Sequence, residues 1–315
     1  MTATLFLAFV ALTAAAVVAL SARYLNGRTA FTVTGGLFVW LLYVGLLGYF
    51  GVIRNTTMRP PGIAFIFVPV VLFLVLFIVR VRSSAGAGVA LAFPLWIILG
   101  TQSFRIIVEL FLHQLWIDGL LPKMLTFAGA NVDIYVGASA PLIAWLSTRG
   151  RLGLRLALAW NALGLLALAN VVTRAVLTTP GPFNLIHAEV PNLMFGTFPY
   201  MFIPGFFVPL AVVLHVLAIR AISSRLHTAI SGANVARVTD KTIVIPRYGP
   251  VGKKSQLVEF RDMLVSIRNK VSMLKKAGRS VDEAVAAKPT ADYDAKWGGY
   301  VIDGKTFTTL VYAGV

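Results

Sequence analysis

The chain has 315 residues, of which 58% are hydrophobic and 13% charged, and its formal net charge is +16. A soluble domain of this length cannot bury so much apolar surface, so a bilayer must cover the remainder. Cysteine is absent, which excludes disulfides, thiolate catalysis and cysteine-based zinc sites.

The charge is unevenly spread. Residues 1–219 hold 12 Lys+Arg against 4 Asp+Glu, and residues 220–315 hold 16 against 8. Each part is net +8, although the second is less than half as long as the first. A basic segment beside a membrane points to anionic lipid headgroups as its partner. It carries no basic stripe interleaved with aromatics, so nucleic acid is not expected.

A membrane helix needs about 20 apolar residues. Spans are expected at 2–22, 31–53, 62–79, 89–116, 132–146, 152–172 and 200–219. The fourth is overlong and must tilt or protrude; the fifth is short. The first lacks the basic leader of a secretory signal, and Arg23 and Arg28 follow it, so it reads as an uncleaved helix with its N-terminus outside. On that orientation the short inner loops hold Arg23, Arg28, Arg80, Arg82, Arg149, Arg151 and Arg155. The outer loops hold Arg54, Arg59, Lys123 and Arg174. That asymmetry favours seven spans, N-out and C-in. The outer loop over 178–199 carries Pro180, Pro182, Pro191 and Pro199 and is expected to cap the outer face or to re-enter the membrane. Pro204 and Pro209 should kink the seventh helix and free backbone carbonyls.

Past Arg220 the apolar runs stop. Residues 223–238 read as a linker, and 242–246 (TIVIP) as a short strand. Leu257, Phe260, Leu264, Ile267, Val271 and Leu274 recur at helical spacing, and Gly278 ends that helix. Ser280 with Glu283 forms a capping box for a second helix, stopped before Pro289. Asp303 is expected to cap a last helix over 305–312. The domains are therefore 1–222 in the membrane, a linker at 223–238, and a mostly helical cytoplasmic tail at 239–315.

Gln102, Arg105, Glu109 and His113 share one helix face in the fourth span. Arg105 can pair with Glu109, and Glu109 with His113. Charged residues at this depth are costly and usually face a bundle interior or a wet cavity. Asp118, Asn131, Asp133, Asn170, Arg174, His187, Glu189 and Asn192 should gather at the same outer end. Together they suggest an outward-facing polar cavity for a small solute. Arg105, Glu109, His113, Asn170 and Arg174 would bind it, and Gln102, Asp133, His187 and Glu189 would form the rim. A metal held by His113, His187 and the acids is the weaker reading, because no ligand spacing matches a known motif. No cofactor and no metal is expected, nor is catalysis. His215 and Asn161 read as polar residues bonded to a neighbouring helix. Retinal chemistry is excluded, since the only lysine of the membrane part, Lys123, lies in an outer loop.

Two resemblances add to this. TIVIPRYGPVG (242–252), VEFRDML (258–264), SVDEAVAAKPTADYDAKWGG (280–299) and FTTLVYAGV (307–315) make the tail resemble the C-terminal end of metallo-β-lactamase-fold hydrolases. That family reads I-P-G-H-G-P at the strand end, with a metal-binding His; here Arg247 and Tyr248 stand at the middle positions. Its main metal motif, H-x-H-x-D-H, is absent. The resemblance implies shared ancestry and local fold without hydrolysis. RIIVELFLHQL (105–115), LTFAGANVDIYVGASAP (125–141) and residues 160–182 make the membrane part similar to an uncharacterised family of bacterial polytopic membrane proteins. The resulting expectation is a seven-helix bundle in the bacterial inner membrane that binds or passes a small polar solute. The alternative is a membrane anchor or scaffold whose non-catalytic tail recruits a partner or forms a homo-oligomer through its long helix. A membrane metal hydrolase is the weakest of the three.

Overall fold

The computed structural model describes residues 2–55, 57–181, 183–237, 239, 243, 252–298 and 302–315, and side chains throughout these except at 84–87 and 227–237. It divides into two units, Met1–Leu226 and His227–Val315. Among the described residues all regular structure is helical. Six helices among the described residues are long and apolar enough to cross a membrane.

In the first unit, α1 (Thr2–Tyr24), α2 (Gly27–Tyr49) and α3 (Ala64–Arg82) follow the first three expected spans. Asn26 starts α2 by accepting from the Thr29 N–H at 2.9 Å, four residues ahead of the expected start. The overlong fourth span is broken into shorter helices. Pro94 stops α4 (Ser84–Ala92) and opens α5 (Leu95–Thr101), and α6 (Phe104–Ile117) follows after a turn at Gln102 and Ser103. Proline favours this break, because it has no N–H to donate and disfavours helix in the residue before it. The fifth span is α7 (Asp133–Leu146), 14 residues long and short of a full crossing by itself. It packs against α5, α6 and α8 (Gly150–Thr178). A widened π-type turn at Ile203–Phe207 leads into α9 (Val208–Arg237). The backbone stays helical to Arg237, so the linker expected at 223–238 is a helix for most of its length. That stretch carries Ala229, Ala233 and Ala236 and contains no proline to stop the helix.

The carbonyls freed by Pro69 and Pro209 have partners, and both partners lie on α2. In a regular helix the Pro69 N–H would serve the carbonyl of Phe65, and that of Pro209 the carbonyl of Gly205. Tyr43 Oη donates to the Phe65 carbonyl at 3.0 Å, and Trp40 Nε1 to the Gly205 carbonyl at 2.7 Å. Aromatic side chains knit this part of the core. Phe6 meets Phe111 edge-on at 5.1 Å, and Phe9 stacks on Phe207 at 4.9 Å.

In the second unit, α10 (Lys254–Lys276), α11 (Val281–Ala286), α12 (Ala291–Trp297) and α13 (Gly304–Gly314) enclose Met263, Ile267 and Val271. The caps match expectation. Ser280 and Glu283 form a capping box, Asp303 accepts from the Thr306 N–H at 2.7 Å, and Gly278 turns the chain at φ +76°. Helix α12 was not expected from the sequence. The strand expected at 242–246, and with it Arg247 and Tyr248, lies outside the described residues, except for Ile243.

Candidate functional site

The polar line of the fourth span closes on itself. Gln102, Arg105 and Glu109 are 1%, 2% and 2% exposed. Arg105 does not pair with Glu109. Its second terminal nitrogen meets Asp133 Oδ1 at 2.5 Å, an ionic contact without hydrogen-bond alignment, and its first lies 3.0 Å from His215 Nε2. The reason is helix start position. Asp133 is the first residue of α7, where a carboxylate also complements the helix dipole, so a full charge is available to Arg105 from a packed neighbour.

His215 receives this contact in only one form. Arginine has donors and no acceptor, so Nε2 must carry the lone pair, and Nδ1–H then donates to Asn161 Oδ1 at 2.8 Å. Asn161 Nδ2 donates in turn to the Ala157 carbonyl at 2.7 Å. Gly164 makes room for the ring, since a Cβ there would stand 2.6 Å from Nε2. Gly137 likewise lets α7 approach Ile106 and Arg105.

Glu109 Oε1 accepts from Asn131 Nδ2 at 2.6 Å. Asn131 also donates to the Leu125 carbonyl, and its Oδ1 accepts the Asp133 N–H at 3.0 Å. Gln102 Nε2 donates to the Ala211 carbonyl at 3.2 Å. The network thus joins α6 to α7, α8 and α9. Gln102 Oε1, Arg105 Nε and Glu109 Oε2 are buried without a hydrogen-bond partner.

The remaining expected residues lie apart from this network. His113 stacks on Phe127 at 4.4 Å and does not meet Glu109. Asn170 and Arg174 pair with each other at 2.8 Å beside a surface depression of about 470 Å³ that includes none of Gln102, Arg105 or Glu109. His187 and Glu189 are exposed, and Glu189 accepts the Lys123 N–H at 2.6 Å. Asp118 accepts from Gln114 Nε2 at 2.8 Å, and Asn192 Nδ2 donates to the Ala175 carbonyl at 3.0 Å. Among the described residues no group of three or more His, Asp or Glu side chains could hold a metal ion.

The protein family described as Domain of unknown function (DUF8737) matches residues 60–223, just over half of the chain. The chain belongs to this family. The DUF8737 region contains every member of the ionic network, from Gln102 to His215, and ends before the second unit. No curated protein and no solved structure matches the chain.

Proposed function

We propose that the chain is a multi-pass anchor of a bacterial inner membrane, with seven helices, N-out and C-in, holding a helical tail in the cytoplasm as a non-catalytic interaction module. One observation carries this reading. The charged groups that a solute path would need are used to bind helices together: Arg105 holds Asp133 and His215, and Glu109 holds Asn131. The Arg and Lys asymmetry between alternate loops supports the orientation. The resemblance of the tail to the end of a metallo-β-lactamase fold, without that family's metal ligands, supports recruitment over hydrolysis.

The chain has no cysteine, so single-cysteine variants read topology without background. Cysteine at Leu185 should react with an impermeant thiol reagent in intact cells, and cysteine at Lys305 only after lysis. The reverse pattern, or equal labelling, would overturn N-out and C-in. Deleting 239–315 should leave the membrane unit folded and abolish capture of the partner.

A second reading, solute binding, rests on the three buried atoms left without partners around Arg105. Such atoms are satisfied by water or by a small polar guest. Glu109→Gln tests it. The anchor reading expects a folded protein with unchanged recruitment, whereas a solute site should lose its guest.

A further inference from the structure

Arg174 stands outside the ionic network and is nevertheless oriented. Its Nε donates to Asn170 Oδ1 at 2.8 Å, and Asn170 is itself fixed by donating from Nδ2 to the Ala130 carbonyl at 2.9 Å. Neither terminal nitrogen of Arg174 has a protein partner among the described residues. Thr173 beside it is exposed, and its hydroxyl is likewise unengaged.

Both residues face the depression of about 470 Å³, whose other walls, apart from Asn170, are apolar: Leu166 and Ala169 below, Leu177 and Ile186 above. The upper wall is held in place because the Ile186 N–H donates to the Leu177 carbonyl at 2.9 Å. On α8, residues 166, 169, 173 and 177 lie on one face and extend about 16 Å along the axis. Arg174 comes four residues before the end of this 29-residue helix. A helix of that length, roughly 43 Å, outruns a hydrocarbon core of about 30 Å, so its last turn stands at headgroup level. Leu166 lies about 12 Å deeper and is 66% exposed, as a lipid-facing residue should be.

We propose that this groove binds an anionic phospholipid, with the Arg174 fork and the Thr173 hydroxyl on its phosphate oxygens and an acyl chain along Ala169 and Leu166. The charge matches: a guanidinium presents two parallel donors to a phosphate, and this one is held ready by Asn170. The apolar lower half distinguishes a lipid from free phosphate, which would leave Ala169 and Leu166 uncovered. The groove shares no side chain with the ionic network, so this proposal stands or falls separately from the anchor reading.

The test uses the full chain in nanodiscs of phosphatidylcholine with a minor fraction of phosphatidylglycerol, and native mass spectrometry to count the phosphatidylglycerol retained. Arg174→Gln should lower retention about tenfold, the scale of one charge-assisted contact. Ala169→Phe fills the lower groove without touching the guanidinium and should lower retention comparably. Inorganic phosphate should not displace the lipid from the wild type. Unchanged retention in Ala169→Phe overturns the proposal, whether or not Arg174→Gln folds; so does displacement by inorganic phosphate, which would make the site one for a free anion.

Discussion

The two units are both basic and use their charge in opposite ways. In the membrane unit the ion pair Arg105–Asp133 is buried, its side chains 3% and 9% exposed. Among the described residues of the C-terminal unit four ion pairs lie on the surface, their side chains 38% to 70% exposed. Exposed pairs trade one set of water contacts for another, so they contribute little and fade with salt. A buried pair can add little net stability and yet be very costly to break, because the partner left behind has no water to turn to. Charge in the first unit therefore fixes which helices meet, whereas in the second it stays at the surface of a small helical fold.

The sharpest way to break this contrast is to split the buried pair. Arg105→Met or Asp133→Leu alone should each cost about 3–5 kcal/mol, and the double variant should recover most of the loss. Thermal unfolding in nanodiscs, followed by tryptophan emission, measures all three. Simple addition of the two single costs would show that the pair does not act as a unit. A smaller effect is expected from Gly164→Ala, which drives a methyl group into the His215 ring. About 1–3 kcal/mol of destabilisation should appear in the same assay.

Smaller again are the effects in the tail. Ser280→Ala removes the N-cap of α11 and should cost about 1 kcal/mol, read as faster amide exchange over that helix. Hydrogen bonds from Ser280 and Arg279 hold the Glu283 carboxyl below its ordinary value of 4.5. A carboxylate lowered in this way stabilises the folded state above that value, and the contribution is lost as pH falls through the lower, folded value. Protection of α11 should therefore decline on acidification below the ordinary carboxylate range, and less steeply in Arg279→Gln, which loses the guanidinium donor to Glu283. The least effect belongs to Lys270→Gln. The hydrogen bond that Lys270 donates to Asp292 raises the lysine's pKa, but the pair is exposed, and no change in tail exchange beyond error is expected.

How legible was this from sequence? Helix existence was, because it follows from apolar run length and from caps such as Ser280 and Asp303. The polar face of the fourth span was also visible as a spacing. Its partners were not. Arg105 and Glu109 are four apart and so read as a pair, yet helix neighbours lose to Asp133 and Asn131, which reach them from another element. His215 and Asn161 were recognised as interhelical residues, but nothing local to either says that the third member is Arg105. The matching signal was glycine: Gly164 and Gly137 mark where a backbone must come close, a meaning that emerges only once the facing helix is known. Asn170 and Arg174 belong together as expected, but they line a surface groove instead of the interior.

One feature inverts an ordinary expectation about proline. Trp40 and Tyr43 occupy the two carbonyls that Pro209 and Pro69 leave free, and they sit on α2, a helix with only 6% of its apolar window buried. Restoring a backbone donor with Pro209→Ala or Pro69→Ala would normally strengthen the mutated helix. Here the new N–H would compete with the indole or the phenol for its acceptor. The mended helix would gain one bond while its neighbour lost a mooring, so α2 would drift towards the lipid because α3 or α9 had become more regular.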